Sequence, residues 1–212
     1  MAPVDWSRRF LDSTRGRIVD RLRRSPATVE ELAAATGLTE NGARAHLATL
    51  ERDGWIHAEG VRRAPGPGKP ATLYALAAGA EPLLSSVYRP LLLALLEALA
   101  EQERPARVDA VVRDAGRRLA EQLGRGGTGS PADRAVRLLE SLGGAVEVEP
   151  GRKGRFVIRG YGCPVGEAVT VEPRVCKAVT ALLTGVLEAK VQEHCDRAGR
   201  PSCRFEVSPK PH

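Results

Sequence analysis

The chain has 212 residues, 42% hydrophobic and only 4% aromatic, which is enough for cores of Ala, Leu and Val in one large domain or two small ones. Its formal net charge of +6 is compatible with nucleic acid without establishing it, because residues 1–76 and 77–212 each carry +3. No run of about 18 apolar residues appears, and Met1–Trp6 lacks the basic-then-apolar order of a signal peptide, so the expected location is the cytoplasm.

Taken along the chain, the pattern predicts a first helix over residues 13–24, with Ile18, Val19 and Leu22 on its apolar side and Pro26 ending it. Thr28-Val29-Glu30-Glu31 reads as a capping box that opens a short helix ending at Gly37. Thr39 can cap a third helix reaching about Asp53, with Ala43, Leu47 and Leu50 inward and Gly54 closing it. Trp55–Glu59 and Ala71–Leu76 read as two strands separated by the Pro/Gly-rich turn Ala64–Pro70. Helix, helix, turn, helix and hairpin is the order of a winged helix-turn-helix.

Between Glu81 and Glu101, Leu84, Val87, Leu91, Leu95, Ala98 and Leu99 recur at helical spacing, and the proline positions put a short turn before a helix that begins near Pro90. Its leucines surround much of its circumference, which suits a domain core or a dimer seam; the dimer seam is the expectation. A further helix from Pro105 to about Leu123 is expected to turn Val108, Val111, Val112, Ala115 and Leu119 inward, with arginines on the opposite face. A Gly-rich joint and a short helix over 131–142 follow. From residue 145 the period changes to two: Ala145–Glu149 and Arg155–Arg159 read as strands, Glu172–Lys190 as a helix, and Val191–Cys195 with Cys203–Val207 as a closing strand pair. The expected architecture is α+β, with a winged helix-turn-helix at 1–78, a helical dimerisation linker at 79–143 and a cysteine-bearing α+β sensor domain at 144–212.

In a winged helix the third helix enters the major groove and its exposed side chains meet base edges. Here those are Asn41, Arg44, Ala45, His46 and Thr49. Arg44 can fork onto guanine and Asn41 onto adenine, while a phosphate contact is the alternative for each. Thr39, at the helix start, is placed to meet a phosphate, and Arg62, Arg63 and Lys69 on the wing would reach backbone or minor groove.

All four cysteines, Cys163, Cys176, Cys195 and Cys203, lie in the last 50 positions. In a reducing compartment such a set reads as metal-binding, redox-active or simply buried. The spacing lacks the paired Cys-x2-Cys of zinc ribbons. Cys163-Pro164, preceded by Gly160-Tyr161-Gly162, suits an iron–sulfur cluster, whose bulk needs a close backbone approach. Cluster, zinc, thiol switch and inert cysteines all remain open on the residues alone. No nucleophile motif, phosphate loop or paired acid and base is visible, so an enzyme is not expected; His57 and His194 read as a wing residue and a strand residue.

Residues 41–54, Asn-Gly-Ala-Arg-Ala-His-Leu-Ala-Thr-Leu-Glu-Arg-Asp-Gly, resemble the recognition helix of ArsR/DeoR-like regulators. Cys163-Pro164, Pro173-Arg174-Val175-Cys176 and Gly199-Arg200-Pro201-Ser202-Cys203-Arg204-Phe205 resemble the C-terminal pattern of the SufR subfamily. The resemblance implies a homodimeric repressor of iron–sulfur assembly genes that binds double-stranded operator DNA and holds one cluster, a 4Fe–4S cubane, per subunit. It implies Cys163, Cys176 and Cys203 as ligands, with Cys195 as the fourth. The rival expectation is a winged-helix regulator that answers to an apolar small molecule, to zinc or to thiol redox state.

Overall fold

The computed structural model describes residues 6–63, 69–124, 127–196 and 202–209, and the chain divides into two compact units, 1–89 and 90–212. The expected turn at 64–68 and the 197–201 part of the Cys203 motif lie outside the described residues.

The first unit contains α1 (Trp6–Asp12), α2 (Thr14–Leu22), β1 (Ala27–Thr28), α3 (Val29–Thr36), α4 (Glu40–Arg52), β2 (Ile56–Arg62) and β3 (Ala71–Leu76). The starts of α2, α3 and α4 are chemically marked. Ser13 accepts from the Gly16 amide at 3.1 Å, and Thr39 does the same for Gly42 at 3.1 Å. Thr28 accepts from the Glu31 amide at 3.3 Å while the Glu31 carboxylate accepts from the Thr28 amide at 2.9 Å, the reciprocal box expected from the sequence. Gly37 and Gly54 take the left-handed conformation, φ 71° and 75°, that lets the chain turn out of α3 and α4. Ile18, Val19, Leu22, Leu32, Leu47, Leu50 and Ile56 form the buried core.

The two-residue β1 joins the hairpin, giving the antiparallel order β1-β3-β2, with a register shift in β2 between Ala58 and Gly60. Two features go beyond the expected plan: β1 and the N-terminal α1. Phe10 of α1 stacks on Trp55 with ring centroids 4.8 Å apart, so α1 covers the base of the hairpin.

The second unit holds most of α5 (Tyr88–Gln102), then α6 (Pro105–Leu123), α7 (Pro131–Ser141), β4 (Val146–Pro150), β5 (Phe156–Gly160), α8 (Gly166–Val171), α9 (Cys176–Leu187), β6 (Lys190–Glu193) and β7 (Arg204–Ser208). The four strands form one antiparallel sheet in the order β4-β5-β7-β6. Residues 90–143 of the expected linker thus share one compact unit with the sensor segment, because α6 and α7 pack on the same core as the sheet, while 79–89 belong to the first unit.

Three sequence expectations change here. The single helix over 172–190 is a 3-10 turn, Pro173–Val175, followed by α9; α9 stops at Leu187 because Glu188 adopts the left-handed conformation, φ 53°. The loop after Cys163 contains the short helix α8. On α6, Ala115 is exposed and Gly116 is buried, so the inward face is Val108, Val112, Gly116 and Ala120, flanked by half-buried Val111 and Leu119. The cause is backbone contact with α9. A methyl on Gly116 would stand 2.1 Å from the Ala178 carbonyl oxygen, and one on Gly185 would stand 2.7 Å from Cβ of Ala120. Gly116→Ala should lower the stability of this unit by roughly 2–3 kcal/mol or more, since the clash is with backbone that cannot rotate away. Thermal unfolding checks this, and an unchanged transition would mean that the helices do not touch as closely as described.

Candidate functional site

The exposed part of α4 is the surface through which this fold would read DNA. Asn41, Arg44 and Ala45 are exposed, and His46 and Thr49 are half-buried. The Arg44 guanidinium donates to Glu40 at 2.7 Å, an i,i+4 pair, and to Asn41 at 3.4 Å. Both predicted base readers therefore belong to one polar group aligned along the helix. Such an exposed ion pair is worth only tenths of a kcal/mol, so a guanine can displace it at little cost. The Thr49 hydroxyl donates to the Ala45 carbonyl at 3.2 Å, which turns it back onto its own helix. Thr39 already serves as the helix cap, and its hydroxyl hydrogen is left to meet a phosphate.

Of the wing residues, Arg62, Arg63 and Lys69 are all exposed. Arg62 donates to Glu31 at 2.5 Å, which ties the wing to the start of α3. The Glu31 carboxyl is held below its usual range, first by the Thr28 amide and then by Arg62. Glu31 is an unforeseen member of this surface: its sequence signal marked only the capping box, and the contact with Arg62 spans 31 positions.

The second constellation is built by topology. In the antiparallel order β5-β7-β6, the end of β5, the start of β7 and the end of β6 fall at the same edge of the sheet. Gly160 ends β5, Cys203 immediately precedes β7 and Cys195 lies two residues past β6. The helix α9 runs back along β6, and a rise of about 1.5 Å per helical residue against about 3.3 Å per strand residue makes the two legs nearly equal. Cys176, at the start of α9, consequently returns to the level of Cys195. Cys163 packs against both the sheet core and the small core of Ala168, Val169, Val175 and Cys176. All four cysteines are free thiols; Cys176 and Cys203 are buried and the other two half-buried.

Local geometry explains the glycine in the loop. A methyl on Gly160 would lie 3.0 Å from Cβ of Cys203, and the Gly160 amide donates to the Cys203 carbonyl at 2.7 Å. Sγ of Cys195 accepts from the Arg204 amide at 3.3 Å. The Cys195 thiol is pushed up to about 12: Cys176 and the Arg204 amide pull it down, but Cys203 and burial together push it further up.

The start of α9 is anchored by charge. The almost fully buried Glu172 accepts from the Arg174 amide at 2.9 Å and from its guanidinium at 2.8 Å. Asp109 of α6 pairs with Lys177, which holds its carboxyl low, and Arg174 stands 3.6 Å away.

One donor lay outside the sequence-based set. A carboxylate oxygen of Glu193 and the sulfurs of Cys176 and Cys195 all lie within 4.8 Å of one another, a group able to hold a metal ion. Glu193 had no signal in the sequence, being one charged residue in a strand. His194 lies just past β6, its Nε2 3.9 Å from Glu206, and His57 is exposed on β2, in keeping with their strand and wing readings.

A family model described as a helix-turn-helix domain matches residues 10–56. The first unit carries a helix-turn-helix domain. The match spans α2, α3 and α4 and stops at the first residue of β2, and it supports a DNA-binding transcriptional regulator of the winged-helix kind. No curated protein matches the sequence. Among the described residues, no helix is long and apolar enough to cross a membrane.

Arg44→Ala should weaken operator binding by roughly 1–3 kcal/mol with little effect on random DNA, whereas Arg62→Ala should weaken both alike and lower the salt slope by about one. Binding isotherms at several salt concentrations separate the two. Equal losses on operator and random DNA for Arg44→Ala would make Arg44 a phosphate contact.

Proposed function

We propose that the protein is a homodimeric, non-enzymatic transcriptional repressor that binds double-stranded operator DNA through α4 and the wing. In this reading it senses iron–sulfur or redox status through a cluster held by Cys163, Cys176, Cys195 and Cys203. The observation that carries it is that Cys163 packs both on the core that Cys203 and Cys195 share and on the one that holds Cys176, whose sulfur lies within 4.8 Å of that of Cys195, in a chain with a helix-turn-helix domain. The donor set suits iron: four thiol sulfurs, soft ligands, with Gly160 giving the backbone a close approach. The resemblance to the SufR subfamily adds a 4Fe–4S cluster and control of iron–sulfur assembly genes, and a cytoplasmic setting follows from both.

When bound, the cluster would supply a cross-link between the sheet edge and the start of α9 that oxidant can remove. The chain's own residues offer a route outward from that cross-link. Leu93 and Leu96 of α5 pack on the core that contains Cys176, while Leu91, Leu92 and Leu95 of the same helix are each more than half exposed. A second copy covering those three leucines would give α5 one face on the thiol centre and another on the dimer seam. Half-site spacing on DNA is fixed by the dimer, so a shift of α5 would be felt as a change in affinity.

Two cavities border the cysteines. One of about 330 Å³ includes Gly143, Gly144, Gly162 and Cys163, and one of about 500 Å³ includes Arg159, His194, Cys203 and Arg204.

Protein isolated without oxygen should be brown, contain both iron and acid-labile sulfide, and bleach in air. Colourless protein carrying stoichiometric zinc under those conditions would overturn the cluster reading. The double variant Leu91→Glu, Leu95→Glu should sediment as a monomer and lose most operator affinity; a variant that remains dimeric would place the seam elsewhere.

A further inference from the structure

We propose that the edge of the sheet also forms a binding site for a single divalent ion of the zinc class, with Cys176, Glu193 and Cys195 as ligands and Cys203 beside them. This goes beyond the cluster reading and does not depend on it. Glu193 is its new element, a metal ligand and not a bystander on a strand.

The first argument is spacing. The ligand atoms of Cys176, Glu193 and Cys195 lie within 4.8 Å of one another. A tetrahedral ion with bonds of about 2.3 Å to sulfur and about 2.0–2.2 Å to carboxylate oxygen holds its ligands on the order of 3.5–3.8 Å apart. The trio needs to close by little more than about 1 Å to grip one ion. A cubane cluster, with a separate iron at each ligated corner, would instead spread the sulfurs wider than they stand. Cys203 interacts with Cys195 and so lies close by, without belonging to the trio.

The second argument is donor chemistry. Two or three sulfurs with one oxygen disfavour magnesium and calcium, which take oxygen ligands, and suit zinc or another borderline divalent ion. The third is access. Cys176 is buried while Glu193 and Cys195 are half-buried, so the ion has a wall behind it and a way in from solvent. Cys163 is not in the close trio, although it packs against the neighbouring cores. The two kinds of centre therefore differ in one cysteine and one carboxylate: the cluster calls on Cys163, the single ion on Glu193. A regulator with such a site could answer to zinc as well as to iron–sulfur supply.

The test uses full-length protein, reduced, stripped with a chelator and kept free of oxygen. It is titrated with cobalt(II) as a visible probe and then with zinc(II) in competition. Wild type should bind one cobalt per chain with a thiolate charge-transfer band and tetrahedral ligand-field bands, and zinc should displace it. Glu193→Gln should weaken cobalt binding by about ten-fold or more and shift the ligand-field bands, and Glu193→Asp, which keeps an oxygen donor, should recover part of the loss. Cys163→Ser should keep its cobalt, and Cys176→Ser should lose it.

A Glu193→Gln protein with the wild-type affinity and spectrum overturns the assignment. So do equal losses in Glu193→Gln and Glu193→Asp, or a Cys163→Ser protein that loses cobalt as fully as Cys176→Ser. If the wild type never carries iron and sulfide yet cobalt behaves as expected, the cluster reading falls and this one stands. Iron and sulfide in the wild type, with cobalt binding indifferent to Glu193, would give the reverse.

Discussion

The contact on which the C-terminal unit depends is the one between α6 and α9, where Gly116 meets the Ala178 carbonyl. Helix axes can come this close only where a side chain is missing, and Gly185 serves the same approach from the other helix. Asp109 adds an ionic tie from α6 to Lys177 just after Cys176, and Glu172 with Arg174 holds the turn before it. The height of α9 above the sheet is thereby set by α6, and with it the position of the Cys176 sulfur relative to strand-borne Cys195. A thiol centre assembled from distant segments needs such a rigid frame, because each ligand otherwise carries its own conformational freedom into the binding cost.

In the helix-turn-helix unit, geometry and charge are arranged differently. Caps built by Ser13, Thr28 and Thr39 fix where helices begin, and the core of leucine and isoleucine fixes how they cross. Two of the cations proposed to meet DNA are meanwhile paired with acids, Arg44 with Glu40 and Arg62 with Glu31. These pairs are exposed and weak, so their worth lies less in stability than in holding long side chains near a productive direction before DNA arrives. The acids also subtract from the field that attracts phosphate, which trades raw affinity for discrimination.

Much of this was legible in the sequence where the signal was local. Capping residues, Gly37, Gly54 and the period-two strands gave the element order because each acts through neighbours a few positions away. What escaped was short or non-local. The helix α1, only seven residues long, offers little periodicity, and the two residues of β1 become a strand only by pairing with Leu73 and Tyr74. Gly116 hid the true phase of α6, since a glycine adds nothing to a hydrophobic pattern even when it is the most tightly packed position. The cysteines could be listed from the sequence, but the approach of Cys176 to Cys195 needed the antiparallel return of α9 onto β6. Glu193 could not be found at all, because a charged residue in a strand usually faces water.

The sheet order has one further consequence. The strand that carries Glu193 and leads into Cys195 is β6, an outer strand of four residues that pairs with β7 alone. An outer strand has half the ladder of an inner one, so lifting it breaks few hydrogen bonds and leaves β5 and β7 joined. The centre is thus fastened on one side to the stiffest helix pair of the unit and on the other to its most easily detached ribbon. In the proposed reading, a bound ion or cluster would act as a latch on that ribbon, and opening the latch would leave the pairing of β5 with β7 in place.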